Sequence, residues 1–146
     1  YITPHMVRFY GPDSVRNEKY LERHETGIRR EYFEIAADGM YDVVHVAGGT
    51  ARRARVDGLD VCGKTGTAEN YGNDHSVFIC FAPRDNPKIA VAAYVENGGF
   101  GATWAAPIAS LLTEMYLTRE IRPERKALEK RILDGNLMDR VRVKKR

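Results

Sequence analysis

Between residues 60 and 96 the chain runs through three short stretches rich in β-branched and aromatic residues, separated by segments too short to hold a helix. They cover residues 60–67, 75–82 and 88–96. Glu-Asn-Tyr-Gly-Asn-Asp lies between the first two and Pro-Arg-Asp-Asn-Pro between the last two. Both compositions favour turns, because Gly and Asn accept positive φ and Pro fixes its own. Parallel neighbours need a long crossover, so connections this short predict an antiparallel three-stranded meander.

Helical periodicity flanks the meander. Phe33, Ala36, Met40, Val43, Val44 and Ala47 recur at helical spacing and predict an amphipathic helix over 31–46, ended by Gly48 and Gly49. Gly39 in its middle weakens it by about 1 kcal/mol relative to alanine. After Asn97-Gly98-Gly99-Phe100-Gly101 come Ile108, Leu111, Leu112, Met115 and Tyr116, the stripe of a helix laid on a sheet, with Pro107 in or next to its first turn. A last helix is expected from Pro123 to Gly135 and Asn136. The first thirty residues read as irregular chain around one short strand over 6–10. The fold class is therefore α/β in the α+β sense, an antiparallel three-stranded sheet with flanking helices.

Composition narrows the function classes. The 146 residues, 43% hydrophobic and 29% charged, are those of one globular domain. No run approaches eighteen apolar residues, and no signal-peptide pattern opens the chain. Residues 119–146 hold eleven Lys or Arg against five Asp or Glu, whereas the whole chain has a net charge of only +3. The interleaved signs and the absence of aromatic residues there predict a solvated helix with a frayed end and no nucleic-acid partner. Cys62 and Cys80 lie in apolar runs on strands expected to be neighbours, as small buried thiols. No Cys or His spacing suits a metal. Gly98-Gly99-Phe100-Gly101 follows a strand and precedes a helix, but Trp104 stands where a dinucleotide fingerprint needs glycine or alanine.

Residues 63–69 read Gly-Lys-Thr-Gly-Thr-Ala-Glu. Along a strand, Lys64 and Gly66 share one face while Thr65 and Thr67 share the other. The hydroxyls can meet a ligand lying along the strand, which can also pair with free backbone groups as an added strand. An ammonium at this place attracts a carboxylate and eases proton shuttling through a hydroxyl, and a backbone N–H at the triad's end could stabilise an oxyanion. Lys-Thr-Gly arises by chance in about one chain in thirty of this length, so its context carries the weight.

That context is Phe81-Ala82-Pro83, Asn86-Pro87-Lys88-Ile89-Ala90-Val91, Glu96-Asn97-Gly98-Gly99 and Ala105-Ala106-Pro107-Ile108-Ala109, in order after the heptad. Over residues 1–118 the chain resembles the carboxy-terminal part of the transpeptidase domain of class B penicillin-binding proteins, the elongation type more than the division type. Residues 119–146 form a basic tail outside the likeness. The resemblance implies an incomplete piece of a penicillin-binding-protein and serine β-lactamase type sheet. It implies Lys64 and Thr67 as catalytic residues, and Thr65, Gly66 and Thr67 as substrate-binding residues, with Thr65 taking the carboxylate of the donor peptide or of a β-lactam.

The family's other motifs, Ser-x-x-Lys and Ser-x-Asn, have no counterpart, since Ser14, Ser76 and Ser110 are the only serines and none has those neighbours. The expectation is a fragment, inactive alone, of a periplasmic, inner-membrane-anchored enzyme that cross-links cell-wall stem peptides through an acyl-serine. Its expected partners are the peptidoglycan stem peptide, β-lactam antibiotics, the missing amino-terminal part of the same protein and a cell-wall glycosyltransferase. No cofactor and no metal are implied. Self-association through the open edge of strand 88–96 is a further expectation. The alternative is a non-catalytic peptide or protein interaction module built on a sheet edge.

Overall fold

The computed structural model describes residues 1–138, and the chain divides into two units, Tyr1–Phe33 and the remainder from Glu34. In the first unit, single antiparallel bridges join Ile2 to Arg23 and Tyr10 to Val15, and a one-turn 3-10 helix, Glu18–Tyr20, begins after Asn17, whose side chain accepts the Lys19 N–H. The strand expected over 6–10 does not form. Gly11, at φ 72°, turns the chain immediately after Tyr10, so pairing lasts one residue, and Met6 stays fully exposed.

Helix α1 (Arg30–His45) lies within one residue of its expected span. Only its last turns are packed: Val44 is buried and Val43 partly so, while Phe33, Ala36 and Ala47 of the expected stripe are exposed. Gly48, at φ 90°, closes the helix, after which the Ala51 N–H returns to the Val43 carbonyl at 3.0 Å.

The meander is present as strands β1 (Cys62–Ala68), β2 (His75–Ala82) and β3 (Ile89–Val95), in that order and antiparallel throughout. Alternation along β2 buries Ser76, Phe78, Cys80 and Ala82 on one face and leaves Ile79 exposed on the other. Helix α2 (Ala105–Thr118) covers the buried face, packing on β2 and β3. Pro107 is its third residue, where the missing N–H has no helical partner to lose. Phe78 sits wholly inside this layer, and its ring lies across Gly63, where a Cβ would be 2.2 Å from the ring.

Register explains the thiols. Cys62 pairs with Phe81 and Cys80 with Gly63, so the two cysteines point to opposite faces, and both are free and buried. Cys80 Sγ lies 3.7 Å from Thr113 Oγ1, and Cys62 Sγ 3.9 Å from the Asp60 carbonyl. Burial pushes the Cys62 thiol up from 9.0 to about 11, against the opposing pull of Arg84.

Of the expected solvated tail, helix α3 (Lys126–Leu133) has no buried residue, residues 121–125 are packed against the fold, and residues 139–146 lie outside the described residues. A 3-10 turn, Pro123–Arg125, leads into α3, and Ile121 is buried. Arg125 reaches back to α2: its Nε donates to Glu114 Oε2 at 2.8 Å, and its Nη2 to Ser110 Oγ at 2.7 Å. Nη1 donates to the Arg55 carbonyl at 2.8 Å. Glu114 is fully buried, and its other oxygen lies 3.6 Å from Arg122 Nε. At the far end, Arg131 lies over the Trp104 ring, 5.1 Å from its centroid, and donates to the Thr103 carbonyl at 2.8 Å. The sequence count of charges missed this because burial makes one arginine worth more than several solvated ones.

Two outcomes follow from this packing. Arg125→Ala leaves a buried carboxylate without its main counter-charge, and is expected to destabilise the fold by about 3 kcal/mol or more in denaturant titration. Because the Cys62 thiol must stay neutral in the fold, its contribution to stability should be level below pH 9.0 and fall as pH rises toward about 11, with the buried Cys80 thiol acting in the same direction. Cys62→Ala should lessen the alkaline decline when denaturation midpoints are compared across the same range.

Candidate functional site

Strand β1 is an edge strand: β2 pairs with one side of it, and no described residue pairs with the other. The register sets its two faces. Lys64 stands opposite Ile79 and Gly66 opposite Val77, on the face that α2 leaves uncovered. Thr65 stands opposite Phe78 and Thr67 opposite Ser76, on the α2 side. The division expected from strand alternation is thus the observed one.

On the α2 side the threonines open into a groove of about 640 Å³. Gly49, Thr50, Arg52 and Arg53 form one wall, and Phe100, Gly101, Ala102 and Thr103 the other, with Thr65 and Thr67 between. Thr50 Oγ1 and Thr65 Oγ1 share a hydrogen bond of 2.9 Å. Lys64 is exposed, does not line this groove, and donates from Nζ to the Thr65 carbonyl at 2.8 Å. Gly66 lies beside the Val77 side chain, where a Cβ would be 3.3 Å from Val77 Cβ. Of the four residues read from the sequence, Thr65 and Thr67 therefore meet in one concavity, and Lys64 and Gly66 flank it from the other face.

The first wall is built by a local rule. Residues Arg52–Ala54 form a 3-10 turn, in which side chains three apart lie over one another. Ala51 and Ala54 are both fully buried, so Arg52 and Arg53 are turned outward, toward the groove. The opposite wall is held by Ser76, whose buried hydroxyl donates to the Phe100 carbonyl at 2.9 Å and accepts the Ala105 N–H at 3.1 Å. Ser110 is equally committed, donating to the Pro107 carbonyl at 2.8 Å and accepting from Arg125. These two serine hydroxyls serve α2, and neither faces the groove.

Gly101 is where the two halves come closest. A Cβ there would stand 2.3 Å from the Val77 carbonyl oxygen and 2.7 Å from that of Gly66. Only glycine lets the loop before α2 lie against the end of the triad. The Gly98-Gly99-Phe100-Gly101 turn is thus a packing device, its Gly98 likewise pressed against Ser76. Sequence reasoning missed Thr50, Arg52, Arg53 and Thr103; the signal in reach was the Ala-Arg-Arg-Ala pattern, whose spacing fits a 3-10 turn but does not say what the arginines face. Among the described residues no cluster of His, Cys, Asp or Glu could hold a metal, and no helix is long and apolar enough to cross a membrane.

An edge strand bearing Lys-Thr-Gly-Thr, an α2 layer behind it and a hydroxyl-lined groove beside it are features of one protein class. The family model described as the penicillin binding protein transpeptidase domain matches residues 1–114, and the chain belongs to that family. It is 37% identical to the peptidoglycan D,D-transpeptidase MrdA of Haemophilus influenzae, across 61% of this chain and 16% of that protein. MrdA of Acinetobacter baumannii is 31% identical across 94% of this chain and 23% of its own length. Penicillin-binding protein 2 of Pseudomonas aeruginosa, solved in complex with WCK 5153, superposes with a TM-score of 0.50 at 40% identity, covering 60% of this chain and 20% of that one. The chain thus spans less than a quarter of the length of these relatives.

Gly101→Ala is expected to force the loop off β1, lowering the melting temperature by about 5 °C or more, as overpacking of this kind typically costs 1–3 kcal/mol. Thermal denaturation followed by circular dichroism checks it.

Proposed function

We propose that this chain is one wall of the acyl-transfer cleft of a peptidoglycan D,D-transpeptidase. The observation that carries the reading is the placement of Lys64-Thr65-Gly66-Thr67 on an unpaired edge strand, with both threonines opening into the groove. In this reading the stem peptide lies along β1. Thr65 and Thr67 hold its terminal carboxylate by their hydroxyls, and free backbone groups of β1 add it to the sheet. Gly66 leaves room at the strand's centre for that approach.

The attacking serine and its lysine base come from a part of the protein beyond this chain, because Ser76 and Ser110 are engaged in holding α2 and Ser14 has Asn17, not lysine, three positions on. That serine attacks the carbonyl before the last D-alanine, D-alanine leaves, and an amine of a neighbouring strand then takes the acyl group. Lys64, on the opposite face from the threonines, places its ammonium where the second wall closes the cleft, favouring the deprotonated hydroxyls of the reaction. The backbone N–H of Thr67 is the oxyanion donor. β-Lactams enter as mimics of the same carboxylate and carbonyl. The working location is the periplasmic face of the inner membrane, beside a cell-wall glycosyltransferase. Beyond residue 114, where the family model ends, Arg122 and Arg125 pair with Glu114 of α2.

In the complete protein, Lys64→Ala is expected to slow acylation by benzylpenicillin at least about a hundredfold while the melting temperature holds. The second-order rate constant measures it, and an unchanged constant removes Lys64 from the mechanism. The isolated chain, incubated with a fluorescent penicillin, should show no covalent adduct by intact mass. A stoichiometric adduct would overturn the placement of the nucleophile.

A further inference from the structure

The groove beside Thr65 and Thr67 has a charge that the Lys-Thr-Gly triad does not supply. Lys64 Nζ sits on the other face, bound to the Thr65 carbonyl. The hydroxyls of Thr50, Thr65 and Thr67 are neutral. The groove's formal charge comes from Arg52 and Arg53 alone, and none of the described residues lining it is acidic.

Neighbouring arginines show what this chain does with a guanidinium that serves the fold. Arg55 pairs with Asp57 at 3.0 Å, Arg84 with Asp38 and Asp85, and Arg125 with Glu114 at 2.8 Å. Arg52 and Arg53 have no acid and no hydrogen-bond acceptor among the described residues, and both are exposed. The buried alanines at 51 and 54 hold the backbone of the turn in place, so both side chains leave it on the groove side. Two unpaired guanidiniums on the wall of a hydroxyl-lined groove attract an anion, with the planar fork that suits a carboxylate.

We propose that Arg52 and Arg53 are the anion-selecting residues of this groove: they supply the counter-charge for the terminal carboxylate of the peptide whose oxygens the threonine hydroxyls receive. The inference rests on the function proposed above for this groove. It assigns specificity for a free carboxylate to two arginines outside the triad, with the threonines giving direction and the arginines giving charge. Both sites act on binding, so their loss raises KM while the acyl-transfer step keeps its rate.

The test uses the complete protein and two probes, diacetyl-lysyl-D-alanyl-D-alanine and its C-terminal amide, compared by ligand-observed NMR titration. The wild type should prefer the acid. In Arg52→Gln/Arg53→Gln that preference should shrink about fivefold or more, the scale set by two solvent-exposed charge pairs. Arg52→Lys/Arg53→Lys, which keeps the charge, should restore most of it, and added salt should weaken the wild-type preference but not the residual one. An acid preference unchanged in the glutamine variant, or absent from the wild type, overturns the inference. Fluorescent-penicillin labelling of the same samples reports on the transpeptidase reading separately. Lost labelling of the wild type with an intact, arginine-dependent acid preference would sink that reading and leave only the carboxylate selection by Arg52 and Arg53.

Discussion

The pleat of β2 is the constraint on which the rest of this structure depends. Ser76, Phe78, Cys80 and Ala82 alternate with Val77, Ile79 and Phe81, and a shift of one residue would exchange the buried and open faces. Phe78 fixes the phase, because its ring occupies the space that Gly63 leaves on β1. Burying such a ring is worth about 3–5 kcal/mol against alanine, enough to settle the register by itself. Once β1 is locked to β2, Thr65 and Thr67 must turn toward α2 and Lys64 away from it.

Ser76 carries the same constraint outward from the sheet. Its hydroxyl takes both the Phe100 carbonyl and the Ala105 N–H, which seats the loop before α2 against the end of β1. Gly101 then makes the approach sterically possible. The groove is therefore a by-product of core packing: one wall is the loop that Ser76 holds, and the other is the 3-10 turn that Ala51 and Ala54 anchor. Substitutions in the core at either anchor act on the site without touching a ligand.

The buried Glu114 ties the carboxy-terminal segment to the same layer. A carboxylate with no exposed surface is tolerable only when paired, and Arg125 and Arg122 both turn to it from the residues after α2. Because Arg125 also binds Ser110 and the Arg55 carbonyl, one side chain joins α2, the segment after the 3-10 turn and the chain beyond Pro123. Arg131 continues the connection to Thr103, on the groove's wall. A segment that reads as a charged tail is in this way the rear support of the site.

By itself the sequence determined the elements and the faces of β1. Turn compositions around residues 69–74 and 83–87 left an antiparallel meander as the economical connection, and strand alternation separated Lys64 from Thr65 and Thr67, because both rules act over a few residues. The motifs around the triad carried the family likeness for the same reason. The strand expected over 6–10 failed for a local reason, the turn at Gly11 that limits Tyr10 to a single bridge with Val15, whereas the packing of Arg125 stayed hidden because its partner, Glu114, lies on another helix. Only the tertiary structure decided that Arg52 and Arg53 share a groove with Thr65 and Thr67, since that depends on two buried alanines, a phenylalanine ring and a glycine meeting across three separate segments. Local sequence sets which way a side chain leaves the backbone; what it then faces is set by the packing of residues far along the chain.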